Sequence, residues 1–349
     1  MARELLQKRG IRRTTSHGTV VVKTIGEDPA IRERLAATLQ ELRSVIGIDP
    51  TTELRIVNAW SKRKKVLFEL EEKGHQQHRT LIGRLMDGPS RADRNRACYQ
   101  ALEVLWAAGL RAPCAFTVPQ PIGHLENWQV ILQEKAPGDL LDHLFVRDAG
   151  TARCSAAMAG EWLNALHSLP LGFSEQTMIL PKLDIWSAAL KQLSPQHTKM
   201  LERIHQQITA QLSDQSAGSP VPSHGDFHAT NLLICGTGRV TGIDFDNFGG
   251  RERSADLGYF LGQTAARGFR KTGSFGSTAE VRTAFLQSYT AAAGPRTPPR
   301  LRIGSHAGAA FLRLLHDELC LMKSGRTDFI DPWLRAAELS ACGAELADS

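Results

Sequence analysis

Six cysteines are scattered over 349 residues, and no two of them form a CxxC pair. That spacing leaves no zinc framework and no disulfide lattice, and it fits a reducing cytoplasm. No apolar run approaches the roughly 18 residues of a membrane span. Aromatic residues make up 6% of the chain and are not interleaved with a stripe of Arg and Lys, so a nucleic-acid partner is not indicated. Neither GxGxxG nor GxxxxGK[ST] occurs, which excludes both common glycine-rich phosphate loops. The N-terminal RELLQKRGIRR is interrupted by Glu4 and followed by no apolar core. It reads as a solvated basic helix rather than a targeting signal. The HDEL at 316–319 is internal and cannot act as a retention signal.

What is present is ordinary in bulk and uneven in distribution. Hydrophobic residues are 42%, charged residues 22%, and the net charge is +6, mildly basic and compatible with an anionic ligand. The length suits two lobes better than one core. The first 134 residues are strand-rich, with 1–50 an extra strand–helix segment. There GTVVVK (18–23) reads as a strand, and Asp28-Pro29 opens a helix whose apolar face is Ile31, Leu35, Leu39, Leu42 and Ile46. ELRIVNAW and KVLFELEE read as strands joined by SKRKK, and RTLIGRLM (79–86) as a third. DGPSRADRN breaks the pattern, RNRACYQALEVLWAAG forms a helix ending at Gly109, and two short strands follow before the hinge at 135–138. Residues 135–349 form a mainly helical lobe, with helices around 155–168, 184–193, 195–214, 254–267, 278–292 and 303–323. The fold class is α+β.

The exception in the helical half is NLLICGTGRVTGIDFD, two strands around Gly236-Thr237-Gly238. Counting back from that turn sets Cys235 opposite Arg239 or Val240, and Asn231 opposite Ile243 or Asp244. Cross-strand neighbours have Cβ atoms about 4.5–5.5 Å apart, so Asn231 and Asp244 meet at the open end. SHGDFHATNLL (223–233) feeds Asp226 into the same place. An amide oxygen and carboxylates suit a hard cation such as Mg²⁺, and a carboxylate not needed as a ligand can accept a proton from a hydroxyl.

HGDFHATN followed by IDFD resembles the catalytic loop and metal segment of the aminoglycoside phosphotransferase and choline kinase superfamily, small-molecule kinases of protein-kinase-like, two-lobed fold. The resemblance implies Asp226 as catalytic base, with Asn231 and Asp244 as Mg²⁺ ligands. It also implies Asp256 (in RSADLGYF) as a brace for the loop, His224 as an orienting group, and His228 in a supporting role. WLNALHSL (162–169) resembles the family's LH-containing helix. PQPIGH and VILQEKAPG resemble its strand–hinge segment and imply nucleotide contacts at Gln133 and Glu134. Asp246, two residues past Asp244, would share its face on a strand and could touch a second metal, substrate or solvent.

The chain departs from the family in the first lobe. Arg84 stands where a strand lysine is usual, and Cys98 where its helix glutamate is expected; Arg84 could contact phosphate or be exposed. Lys23, with Glu33 on the next helix, is a second candidate for the phosphates. For the acceptor, Asp317, Glu318 and Trp186 could hold a cationic amine or form a solvated face. Three readings follow. The first is an ATP-dependent, Mg²⁺-using kinase acting on a small-molecule hydroxyl in the cytoplasm, with no nucleic-acid or membrane partner. The second is a catalytically impaired nucleotide-binding protein of the same fold. The third is a metal-dependent hydrolase built on the HxDxH spacing.

Overall fold

A computed structural model describes residues 13–14, 19–20, 53–62, 65–73, 78–86, 89–174, 177–213, 218–322, 325–344 and 346. Lys23 and the helix expected after Asp28 lie outside them. The chain divides after Pro137 into two compact units.

In the first unit, β1 (Arg13–Thr14) pairs with β2 (Thr19–Val20). The main sheet is antiparallel, built from β3 (Glu53–Lys62), β4 (Lys65–Lys73), β5 (His78–Met86), β7 (Pro121–Leu125) and β8 (Val130–Glu134), in the order β3-β4-β5-β8-β7. Helix α1 (Pro89–Ala107) follows β5, and β6 (Phe116–Thr117) follows α1. Cross-strand partners share a face. Phe68, Gly83 and Leu132 therefore lie on one side with Leu85 and Val130, in a buried apolar cluster. Arg84 and Ile131 lie on the other, where Arg84 meets Asn95 of α1. The helix begins at Pro89, earlier than the polar run DGPSRADRN suggests. Proline is at home in a first helical turn, where its missing N–H costs nothing.

The second unit opens with β9 (Asp139–Leu140) and the single turn α2 (Leu141–Leu144), then α3 (Ala149–His167). Next come α4 (Leu180–Leu193), α5 (Thr198–Leu212) and β10 (Val221–Ser223). The hairpin β11 (Leu232–Ile234) and β12 (Val240–Gly242) has the register Ile234↔Val240 and Leu232↔Gly242, with β9 on its outer edge. β13 (Gly249–Arg251) pairs with β10. The chain then enters α6 (Arg253–Thr272), α7 (Ala279–Ala293), α8 (Arg300–His316) and α9 (Ile330–Ala341). α8 does not run on to 323 as one α-helix, because Asp317–Met322 winds as a π-helix. Helices α4, α5, α6, α8 and α9 enclose a core around Phe311, Trp333 and Ile204. Among the described residues, no helix is long and apolar enough to cross a membrane.

A second packing centre lies under the hairpin. Trp162 of α3 stacks on Phe227 at 5.7 Å, and Phe260 of α6 on Phe285 of α7 at 3.9 Å. Phe227 and Phe245 are the aromatic residues inside HGDFH and IDFD, and both are buried. A buried Phe contributes about 1.5–3 kcal/mol, so each polar motif is pegged to the core by its own aromatic side chain.

Candidate active site

The loop after β10 is held from below by one carboxylate. Asp256, in the first turn of α6, accepts from the backbone N–H of His224 at 2.7 Å and of Gly225 at 2.9 Å. Its Oδ2 also lies 3.4 Å from His167 Nε2 at the end of α3, and His167 Nδ1 meets the Tyr289 hydroxyl at 2.9 Å. Burial disfavours the charge on Asp256, yet His167, His224 and Arg251 outweigh it and keep the carboxyl below its usual range. The positive end of α6 acts in the same direction. Gly225 has φ +76°, and a Cβ there would run into the Asn247 carbonyl oxygen. Only glycine fits a turn that is both left-handed and this close to backbone. His224 is fully buried, and its Nε2 donates to the Ile243 carbonyl at 2.9 Å. Burial lowers its pKa and keeps the ring neutral, so it ties the loop to the residue just before Asp244.

Asp226 follows with 21% of its side chain exposed, Oδ1 at 2.9 Å from Arg313 Nη2 and Oδ2 at 3.5 Å from His228 Nε2. Burial works against its charge. The hydrogen bond and charge of His228, and then Arg313, outweigh that and hold the carboxyl far below the usual carboxylate range. Arg313 also lies over the Tyr259 ring at 4.6 Å. The tyrosine's hydroxyl is pushed well above its ordinary pKa, first by burial and then by the charge of Asp226.

A short 3₁₀ turn, Ala229–Asn231, brings Asn231 back to the loop. Its Nδ2 donates to the Asp226 carbonyl at 3.0 Å and lies 3.3 Å from His228 Nε2, leaving Oδ1 as the amide atom able to bind a cation. The Ile243 N–H donates to the Asn231 carbonyl at 2.9 Å, so Ile243 pairs with Asn231 and Asp244 is the next residue along. Asp244 has left the strand, with φ +67°. A non-glycine residue is uncommon there, Asp and Asn being the most tolerant, and such strain clusters at functional sites. The strand ends at Gly242, so Asp246 lies in a turn and the same-face argument for it does not apply. The Asn231 amide oxygen and the Asp244 carboxylate are hard oxygen donors of the kind a divalent cation takes.

In the first unit, Arg84 is buried and not an exposed strand residue. Its Nε donates to Asn95 Oδ1 at 2.8 Å, and Asn95 Nδ2 donates to the Gln129 carbonyl at 2.6 Å. Asn95, one turn before the buried Cys98, is thus the helix residue that meets Arg84. Gln133 pairs with Ile82 on the Arg84 face of the sheet, and Glu134 with Leu81 on the opposite face. Of the three acceptor candidates, Trp186 lines a cavity in the second unit. Glu318 is buried and ion-paired with Arg270. Asp317 lies 3.4 Å from His316 Nδ1 and 4.0 Å from Arg313 Nε. The sequence reading missed Asn95, Arg251, Tyr259 and Arg313. Arg313 lies 87 residues from Asp226, and no local pattern joins them.

The phosphotransferase enzyme family model matches residues 67–303. The chain belongs to this family. It is a small-molecule kinase by class, with the α+β fold of the aminoglycoside phosphotransferases and choline kinases. Solved phosphotransferases and kinases share that fold at low identity. A spectinomycin phosphotransferase in complex with ADP and spectinomycin has TM-score 0.57 and 13% identity, covering 88% of this chain and 98% of that one. A Plasmodium vivax ethanolamine kinase has TM-score 0.58 and 13% identity over 97% of this chain and 92% of its own. An aminoglycoside phosphotransferase from Alicyclobacillus acidocaldarius has TM-score 0.54 and 12% identity over 86% and 92%. No curated protein matches the sequence. The span matched by the phosphotransferase family holds Arg84, the loop, Asp244 and Asp256 and ends before Arg313.

Proposed function

We propose that this phosphotransferase moves the γ-phosphoryl group of ATP to a hydroxyl of a small molecule, with Asp226 at the reacting hydroxyl. The observation that carries the reading is the fixed state of Asp226. It is an ionised carboxylate held by Arg313 and His228, on a loop braced by Asp256, five residues before Asn231. The acceptor oxygen bonds to the γ-phosphorus, the bond to the ADP oxygen breaks, and the hydroxyl proton passes to an Asp226 oxygen. A carboxylate this firmly ionised is a weak base. Phosphoryl transfer through a loose transition state asks for an oriented hydroxyl more than for early deprotonation, and orientation is what a pinned carboxylate supplies.

Asn231 Oδ1 and the Asp244 carboxylate would hold Mg²⁺, which neutralises phosphate charge when bound. His224 and Asp256 position the loop, with His228 against Asp226. Gln133 and Glu134 are assigned to the nucleotide, and the family's cytoplasmic setting fits six free cysteines. Arg84, on the Gln133 face, is the proposed phosphate contact in the first unit. Its tie to a neutral amide also favours a second reading, a nucleotide-binding protein with little turnover. Membership in the phosphotransferase family displaces the hydrolase reading.

The test is Asp226→Asn in a coupled ADP-release assay over a hydroxyl-compound library, with Mg·ATP binding followed by calorimetry. Turnover is lost and Mg·ATP binding stays. A variant that keeps turnover overturns the role of Asp226, and a wild type that binds Mg·ATP but releases no ADP with any acceptor supports the second reading.

A further inference from the structure

A cavity of about 190 Å³ opens beside Gly225 in the second unit, with Trp186 and Tyr259 among its walls. Its charge is lopsided. Two carboxylates line it, Glu252 and Asp256, and both are committed to the framework. Glu252 accepts from Arg302 Nε at 2.8 Å and meets His306 Nε2 at 2.5 Å. Asp256 accepts the two loop N–H groups and faces His167. Three cations line the same cavity: Lys182 in the first turn of α4, Arg251 at the end of β13, and Arg313 of α8. Arg251 Nη1 donates to the Asn247 carbonyl at 2.7 Å, a neutral partner, while Asp256 and Asp226 act on its charge without a hydrogen bond to it in this arrangement. His306, also on the wall, is 4% exposed, and its Nδ1 has no hydrogen-bond partner among the described residues.

We propose that the phosphoryl acceptor carries an oxyanion, a carboxylate or a phosphate monoester, held in this cavity by Arg251, Arg313 and Lys182 while its hydroxyl lies at Asp226. The inference rests on the kinase reading and names the acceptor class for it. Guanidinium forks match carboxylate and phosphate geometry. Arg313 touches both the cavity and Asp226 Oδ1, so it couples the anion subsite to the reacting group. Burial, with the charge of Arg313 adding to it, lowers the pKa of Arg251 despite Asp256, and a bound anion relieves that strain. A cationic amine, by contrast, meets a wall whose two carboxylates are already paired. The spectinomycin and ethanolamine enzymes share the fold, but their acceptors do not suit this surface.

The test pairs turnover with binding. ADP release is measured with D-glycerate, L-malate and glycerol 3-phosphate in one arm and ethanolamine, choline and spectinomycin in the other, with Asp226→Asn as blank. Calorimetry follows glycerate and glycerol 3-phosphate on the wild type, Arg251→Gln, Arg251→Lys and Lys182→Gln, the last at an exposed position that does not threaten the fold. Anionic alcohols give Asp226-dependent turnover. Arg251→Gln raises their KM and Kd about 10–100-fold, the size of a lost charge-assisted hydrogen bond, with kcat little changed. Arg251→Lys recovers part of that affinity, and Lys182→Gln loses less. The stronger of glycerate and glycerol 3-phosphate identifies the oxyanion. Turnover in the cationic arm alone, or no binding of either anion by the wild type, overturns the proposal; the first of these leaves the kinase reading standing. Arg251-dependent anion binding with no turnover in either arm keeps the anion site and overturns the kinase reading.

Discussion

The loop of the second unit and the β5–α1 pair of the first both fix a charged side chain, by different means. Asp226 is held by two charged or chargeable partners, and the loop beneath it by a second carboxylate, Asp256, with its own histidine. Arg84 Nε meets a neutral amide, Asn95, which also ties α1 to the Gln129 carbonyl. Charge networks in low dielectric are strong when complete and costly when broken. The first arrangement is built on charge, and the second places an amide against the arginine.

The sharpest way to break the comparison is Asp226→Asn. Losing a positioned acid–base group costs about 10²–10⁴-fold in rate, so kcat drops by that factor in the ADP-release assay while Mg·ATP affinity holds. An equal loss from Arg84→Gln would show that the two ends carry the reaction alike. Asp256→Ala comes next, read as stability. It leaves His167 and two loop N–H groups without their carboxylate in a fully buried site, a change worth ~3–5 kcal/mol. Urea unfolding midpoints would reveal it, and a shift below ~1 kcal/mol would mean that the loop does not hang on Asp256.

Glu252 tests the same contrast by pH. Burial alone would raise its pKa, but the hydrogen bond and charge of His306, together with Arg302, bring it from 4.5 to about 2. The folded value lies below the unfolded one, so the contribution is complete above pH 4.5 and is lost as pH falls through about 2. The amount at stake is ~3 kcal/mol. Glu252→Gln flattens that acid limb in urea titrations between pH 2 and 5, and an unchanged limb would assign it to other carboxylates.

How much of this was legible beforehand follows from range. The hairpin register came from a period of two and a Gly-Thr-Gly turn, both local, and the strand pairs Asn231 with Ile243. The left-handed break at Asp244 was hidden because aspartate tolerates it without a glycine to announce it. Arg313 and Arg251 were illegible because their meaning lies in long-range packing. The start of α1 was misread because a polar, proline-containing segment looks like a loop until the sheet behind it supplies a face to pack on. Asn95 lies in that same segment, one turn before Cys98, and its role depends on a sheet partner 11 residues away.

The smallest effect is also the most discriminating. Asn95→Asp converts the amide pair of Arg84 into an ion pair and makes the first unit resemble the second. The new carboxylate gains charge against Arg84 Nε, now 2.8 Å from Asn95 Oδ1. It also loses the amide N–H that reaches the Gln129 carbonyl at 2.6 Å and sets two oxygens against each other in a fully buried site. Hydrogen bonds to charged groups are worth about 1.5–3 kcal/mol and a stranded buried acceptor costs about 1–3 kcal/mol, so the two nearly offset. The net is a loss of ~1 kcal/mol or less in urea unfolding. Nucleotide affinity moves further than stability, because a carboxylate on Arg84 competes with a phosphate for the guanidinium. A weaker Kd for ATP with little change in stability would support Arg84 as the phosphate contact; unchanged affinity would place that contact elsewhere.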